Sequence, residues 1–526
     1  MKRCNDICYV FCVLRDRSRI RLLDRSNATP YYLQVREAIL REIQEGKYRP
    51  GDRIPAEMEL CDLYGVSRPT VRQALDDLVH EGLLLREKGR GTFVTEKAPC
   101  ERARLTFLAP DYHAELIGRP LAEEYMRVRG DVEIDVLSAP YEALPERFYT
   151  EFMYHAGSID VIMVSFSLMP EYVLGGKLEV LDPYIDEAGL DFTGDYLTGP
   201  DGRPVIDHTC AFHIPGVGQK RFGIPFQNDV YVLAYRKDLF EKYGLSVPRT
   251  PAEYVQAAKA LTNSVDESGR RVPFGTALSA KRARSDFAED FINFLRAFGG
   301  DLFDRDLVPI INSPAGRRAL EFYKSLLPFA PPESINYSVF DSIRAMREGK
   351  VAMLMNWSSL IGSLEDPNLS EVAGRLGYAL FPPDCPQVAG WELAIPYDSP
   401  RKAEAFEFIK FATGPSPNVA KVYANQRVIP YWRSIIRDLA FVQRNPCARV
   451  VEEAWRRGRG LGRYRENVAL MEVTSLYGSH ALLGVLDIDE ALEEMSKAFS
   501  TLIKRDVAFR RLVNDSRLQG LSRATG

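Results

Sequence analysis

Long apolar runs are missing from this chain. No stretch of its 526 residues approaches the roughly 20 apolar positions that span a bilayer, so no membrane partner is expected. Cysteine is sparse. The eight residues, at positions 4, 8, 12, 61, 100, 210, 385 and 447, form no CxxC pair and no regular spacing. That argues against a disulfide scaffold and fits a reducing, cytoplasmic compartment. The six histidines are scattered, and GxxxxGK[ST], HExxH, GxSxG and GxGxxG do not occur. No catalytic residue, no cofactor and no metal is therefore expected. An excess of one charge is also lacking. Lys and Arg number 68 against 72 Asp and Glu, a net charge of −4. Bulk attraction to a polyanion is excluded, and any nucleic-acid contact must come from local clustering.

What is present is globular. Hydrophobic residues make up 46% and charged residues 27%, close to the soluble average. At roughly 100–200 residues per domain, the length implies three or so domains. The first segment, 1–27, stands apart. Cys4, Cys8 and Cys12 accompany a short apolar run, Ile7–Leu14, then Arg15, Arg17, Arg19 and Arg21. The run is at the short limit for a signal peptide and no small-residue cleavage site follows. A disordered leader, or a start codon assigned too early, is the expectation.

From 28 to 96 the pattern changes. Thr29 and Pro30 are placed to open a helix, with Thr29 as its cap. Tyr32, Val35, Ile39 and Ile43 repeat at helical spacing. A second helix is expected from Pro55 to Tyr64, then a Gly65-Val66 turn. A third is capped by Ser67, with Val71, Ala74, Leu75 and Leu78 inward and Arg68, Pro69, Arg72, Gln73 and Asp76 outward. Two helices across a tight glycine turn make a helix-turn-helix. Leu83–Glu87 and Thr92–Val94 then alternate like strands around a wing, Lys88-Gly89-Arg90-Gly91.

This arrangement suits duplex DNA. The start of a recognition helix enters the major groove. Arg68 and Arg72, one turn apart, reach one patch of duplex, where arginine binds guanine or phosphate. Ser67, Thr70 and the free N–H groups of the first turn suit phosphate or base contacts. Lys88 and Arg90 bring charge to an adjacent groove. The wording Pro50-Gly51-Asp52-Arg53-Ile54-Pro55-Ala56-Glu57, Val66 to Leu75 and Gly89 to Val94 resembles the GntR-type winged-helix repressors, most of all their HutC branch. The resemblance implies DNA contacts from Ser67, Arg68, Thr70, Arg72 and Gly89. Pro69, Gln73, Lys88 and Arg90 complete the expected DNA-binding set. Met58 departs from the basic or polar residue of many relatives.

A polar linker, 97–102, leads to the remainder, 103–515, with a tail at 516–526. Strands at Leu105–Leu108, Val132–Leu137 and Ile159–Val164 alternate with helices at Leu121–Val128 and Glu142–Met153, a parallel α/β pattern. Ser158 to Ile162, Gly175 to Asp182, Gly223 to Phe226, Leu233 to Gly244, Met346 to Trp357 and Gly390 to Ile395, in this order, resemble extracellular solute-binding proteins of the family that includes maltose-binding protein. The resemblance implies a two-lobed α/β, periplasmic-binding-protein-like type II domain. Lobe one would take about 103–228 and 391–440, lobe two about 229–390 and 441–515.

Ligands in open α/β sheets bind at the carboxyl ends of strands. That brings in Asp111, Tyr112 and His113, then Ser165, Phe166 and Ser167, then Gln227, Asn228 and Asp229. By resemblance, Asp229 stands where maltose-binding relatives hold sugar hydroxyls, and Trp357 where an aromatic stacks on a sugar ring. A carboxylate accepts paired hydroxyls, and a flat ring fits a pyranose face. Asp229 as a hinge cap, and Trp357 and Trp391 as core, are the structural alternatives. Met471 and Glu472 replace another ring-stacking residue of relatives. The expected ligand set is Asp111, Tyr112, Ser165, Phe166, Asn228, Asp229, Trp357 and Trp391.

Two further clusters attract notice. Asp207, His208, Cys210 and His213 match no standard metal spacing. The tract Arg456 to Arg465 reads as a solvated loop, with an anionic ligand or a second DNA contact as alternatives. The whole is a multidomain protein, a winged helix-turn-helix (α+β) followed by a two-lobed sensor. The expectation is a cytoplasmic transcription regulator, a homodimer on double-stranded operator DNA, with a sugar or oligosaccharide as small-molecule effector. The rivals are a membrane-anchored or secreted carbohydrate-binding component of a transporter, and a regulator with a non-sugar effector.

Overall fold

Val35, Ile39 and Ile43 fall on one side of a helix, α1 (Tyr31–Gln44), and are fully buried. They pack with Val71, Ala74, Leu75 and Leu78 of α3 (Arg68–His80), the same positions that the 3.6-residue period picks out. Leu60 and Tyr64 of α2 (Glu57–Tyr64) close this core from the side. Each buried Val, Leu or Ile among them contributes about 1.5–3 kcal/mol. Between α2 and α3 the chain turns on Gly65, whose φ of 65° is left-handed and ends α2. Strands β1 (Leu84–Glu87) and β2 (Gly91–Val94) pair antiparallel, Leu84 opposite Val94 and Glu87 opposite Gly91.

This is a computed structural model, and it describes residues 29–95, 103–154, 157–214, 216–282 and 285–505. The expected leader 1–27, linker 97–102 and tail 516–526 lie outside the described residues. The starts of α1 and α2 differ from expectation. Pro30, not Thr29, occupies the cap of α1, because its carbonyl is the first to accept, from the N–H groups of Leu33 and Gln34 at 3.0 and 3.2 Å. Ser67 stands at the cap of α3 but bonds no backbone N–H; its hydroxyl lies 2.8 Å from that of Thr70. In α2, which opens at Glu57 rather than Pro55, the Glu59 carboxylate accepts from the Ala56 N–H at 2.7 Å.

The second unit holds β3 (Ala103–Pro110), β4 (Val132–Ala139), β5 (Val161–Ser165), β6 (Ala211–Ile214), β7 (Gly218–Arg221), β8 (Ile224–Arg236), β9 (Ser264–Val265), β10 (Arg271–Val272), β11 (Met353–Trp357), β12 (Leu376–Leu380) and β13 (Val388–Ala394). Seven of them form one sheet in the order β11-β8-β13-β5-β3-β4, with β12 also on β8. β3 and β5 run parallel, Phe107 beside Val161, as strands joined through helices α4 (Arg119–Val128) and α5 (Leu144–Tyr154) do.

The 13-residue β8 links two lobes. Its first half, to Val230, pairs with β13; its second half, from Tyr231, pairs with β11 and β12. All but one of its residues are buried, which is why its sequence reads as an apolar run apart from Gln227-Asn228-Asp229 and the terminal Arg236. Helices α6 (Asp286–Ala297), α7 (Pro314–Leu326) and α8 (Val339–Arg347) belong to the second lobe. Its core stacks Phe287 on Tyr323, ring centroids 4.9 Å apart, beside Tyr231 and Met355. Helix α9 (Lys402–Thr413) returns to the first lobe, where Phe408 meets Phe107 edge-on. Helices α10 (Ala448–Arg457) and α11 (Asn467–Leu483) follow, and Leu470, Met471 and Leu482 of α11 enter the second-lobe core. No helix among the described residues is long and apolar enough to cross a membrane.

Candidate functional site

The first candidate is the exposed side of α3. Ser67, Arg68, Pro69, Arg72 and Gln73 are exposed there and Thr70 is half-buried, while Lys88, Gly89 and Arg90 are exposed on the wing. Amphipathicity is the cause: apolar positions bury one stripe and leave the arginines outside. Arg68 and Arg72 do not hang free. Nε of Arg68 donates to Glu57 Oε2 at 2.8 Å. Arg72 donates from Nε to Oε1 at 3.2 Å and from Nη2 to Oε2 at 3.0 Å. These bonds, Arg72 first, hold the Glu57 carboxyl down at about 2. On the wing Arg90 pairs with Glu87 and lies over the Phe93 ring.

The second candidate is a cavity of about 430 Å³ between the lobes of the second unit. Asp111, Tyr112, Ser165, Phe166, Asp229, Trp357 and Trp391 all line it, as do His113 and Ser167. Asn228 does not. Successive strand residues point to opposite faces, so with Asp229 turned to the cavity Asn228 is turned from it. Its Oδ1 instead accepts from Trp455 Nε1 at 3.0 Å, and it is fully buried. Gln227 sits beneath the wall and lies 3.1 Å from His113 Nδ1. Burial pushes His113 down to about 4, so this ring is a neutral part of the wall.

Asp229 is engaged within the fold. Its carboxylate accepts from the Ser359 N–H at 3.0 Å, the Ser359 hydroxyl at 2.7 Å and the Ser358 hydroxyl at 3.3 Å. It thus anchors the short helix Ser358–Ile361 that follows β11. Burial still pushes it up to about 7, against the pull of those donors. Trp357 is half-buried, edge-on to Tyr231 at 4.9 Å, and its indole N–H donates to Glu289 at 2.5 Å. Trp391 is 8% exposed and leans on His113 and Tyr141. Both tryptophans are therefore packed and cavity-lining at once.

The sequence reasoning missed Asp286 and Glu289. Three positions apart at the start of α6, they share a face, and both line the cavity. Burial raises Asp286 to about 6. It raises Glu289 to about 8, with the charge of Asp286 adding to the effect. The signal was present as an acidic i, i+3 pair in a first helical turn. Phe340 of α8 was also missed; its ring meets Tyr112 at 5.3 Å across the cleft. Met471 lines the same cavity.

A smaller cavity of about 260 Å³ shares Phe166 and Leu461 with the first and is lined by part of the arginine tract. The tract is engaged within its own unit. Arg456 pairs with Glu453, Arg459 with Asp301 and Arg465 with Glu466. Arg457 pairs with Glu453, and Arg463 donates to the carbonyls of Asp207 and His208. Asp207 is held by Arg221 and His208 by Asp201, while Cys210 is buried. Among the described residues no three His, Cys, Asp or Glu side chains converge as metal ligands.

Known proteins resemble the chain over the two regions that carry these candidates. The family described as "Bacterial extracellular solute-binding protein" matches residues 113–419, and "Bacterial regulatory proteins, gntR family" matches 31–94. An uncharacterized HTH-type transcriptional regulator, YurK of Bacillus subtilis, is 48% identical over 73 residues, 14% of this chain and 30% of that one. The mannitol-binding protein of Pseudomonas aeruginosa is 26% identical over 299 residues, 54% of this chain and 67% of that one. The maltose-bound T. maritima MalE3 structure superposes with a TM-score of 0.65 at 23% identity, covering 76% of this chain and all of that one. The chain thus spans about a third of the regulator and two thirds of the binding protein. It belongs to the bacterial extracellular solute-binding protein family, and carries a gntR-family regulatory region ahead of that domain.

Proposed function

We propose that this protein is a sequence-specific DNA-binding transcription regulator whose operator affinity follows the occupancy of its cleft by a sugar or sugar alcohol. One observation carries the reading: a helix face bearing paired arginines and a cleft walled by tryptophans and carboxylates occur in one chain. In the DNA step, Arg68 and Arg72 bind base edges or phosphates in the major groove, with Ser67, Pro69, Thr70 and Gln73 beside them and Lys88, Gly89 and Arg90 on the adjacent backbone. A module of this kind acts where DNA is, so we place the protein in the cytoplasm. Two half-sites fit a homodimer.

In the sensing step, Asp229, Asp286 and Glu289 accept hydrogen bonds from ligand hydroxyls, while Trp357 and Trp391 cover apolar ring or chain faces. Asp111, Tyr112, Ser165 and Phe166 complete the opposite wall. The mannitol-binding relative and the maltose-bound structure support a polyhydroxylated ligand. A ligand touching both lobes binds the closed state better, and its leverage over DNA equals that difference in affinity. A thermal-shift screen of the full chain against sugars and sugar alcohols tests the reading. Stabilisation by at least one of them, lost in Trp357→Ala, is expected. No stabilisation by any of them contradicts it.

A further inference from the structure

We infer that Glu57 is a positioning residue for DNA recognition: its single carboxylate holds Arg68 and Arg72 as a pair and so sets how strongly the module prefers its own sequence over other DNA. The inference rests on reading α3 as the recognition helix.

The geometry is specific. Glu57 is the first residue of α2, across the Gly65 turn from α3. Its side chain is 21% exposed, against 57% for Arg68 and 51% for Arg72. A largely buried acid therefore meets two exposed arginines. Arg68 uses only Nε on it, and Arg72 uses Nε and Nη2. Both Nη groups of Arg68 and Nη1 of Arg72 make no hydrogen bond among the described residues, so donors remain for a base or phosphate. Arg86 of β1 approaches Glu57 within 3.8 Å and pairs with Asp76 of α3. Three arginines thus share two carboxylates in this small patch.

Two physical consequences follow. A free arginine carries rotamer entropy, part of which is lost on binding. Glu57 removes part of that loss beforehand, and in one fixed geometry, which favours a bidentate contact to one base over loose contacts to many. Its negative charge also lowers the net attraction for phosphate, which supplies most non-specific binding. Both effects favour specific over non-specific DNA. The carboxyl stays ionised down to about pH 2 under the two guanidinium groups, so the clamp is present throughout the neutral range.

The test uses the full chain and a duplex that it selects from a randomised library, with poly(dI-dC) as the non-specific competitor. Glu57→Gln keeps the shape and removes the charge. The expected result is a selected-to-competitor affinity ratio at least about tenfold lower, with poly(dI-dC) binding equal or tighter. The slope of log K against log salt should steepen by about one. Glu57→Asp, which restores the charge, should recover part of the ratio. A ratio within about twofold of the parent, while Arg72→Ala weakens the selected duplex, overturns the inference alone. Equal weakening of both duplexes together with a lowered melting temperature also overturns it, since that is a purely structural role. If Arg72→Ala leaves the selected duplex unaffected, the recognition-helix reading fails as well.

Discussion

The indole N–H of Trp357 donates to the Glu289 carboxylate at 2.5 Å. One residue ends strand β11 and the other lies in the first turn of α6, so the bond fixes an aromatic face and an acceptor in one cleft wall. A stacking surface and a hydrogen-bond acceptor held side by side suit a molecule with one apolar face and hydroxyls at its edge.

Removing that surface has a clear expectation. Trp357→Ala weakens a sugar found in the thermal-shift screen by at least ~0.5–1.5 kcal/mol, beyond the lost contact area. Ligand-free DNA binding is unchanged. Calorimetry and anisotropy on the same preparation check both halves.

The cleft carboxyls make stability depend on pH. Glu289 titrates near 4.5 when unfolded and at about 8 when folded. Between these values the folded chain keeps a proton that the unfolded chain has lost, so stability falls as pH rises through the window. Below it both states are protonated and no penalty remains; above it the penalty is complete. Asp229 and Asp286, raised to about 7 and about 6, act in the same direction. Melting curves from about pH 5 to pH 9 should descend, and Glu289→Gln should flatten the upper part. A Glu289→Gln curve parallel to the parent's contradicts this.

On the DNA side, Arg72→Ala lowers affinity for a selected duplex by about 1–3 kcal/mol and relaxes preference at the contacted base. Lys88→Ala lowers affinity for all duplexes alike, with a salt slope smaller by about one. Gel shifts over a salt series separate the two patterns.

Gly460 makes the cleft wall testable from behind. A Cβ there would lie 2.7 Å from the Phe166 ring, a contact that something must relieve. Gly460→Ala therefore shifts Phe166 at the boundary of the two cavities, at a cost of about 1–3 kcal/mol in stability. Ligand affinity changes while duplex affinity in the absence of ligand does not. Chemical denaturation and calorimetry report the two effects.

Much of this was legible in the amino-acid order because it follows from periodicity. Val35, Ile39, Ile43, Val71 and Leu78 repeat at 3.6 and are core for that reason. Asp111, Ser165 and Asp229 are found at strand ends or on the crossing strand, where α/β sheets bind ligands. What periodicity could not supply is the phase of a strand buried on both faces. β8 has no polar side to show which way it turns, so Asn228 and Asp229 could not be told apart. Nor does local order reveal partners far along the chain. Glu57 with Arg72, and Glu289 with Trp357, are 15 and 68 positions apart, and only folding brings them together.

Filling the cleft should change DNA binding. The most direct test is fluorescence anisotropy of a labelled, chain-selected duplex, titrated with the full chain with and without a sugar that calorimetry has shown to bind. A shift in apparent Kd of about fivefold or more is expected, absent in Trp357→Ala at the same sugar concentration. An apparent Kd that stays the same when the cleft is saturated contradicts it.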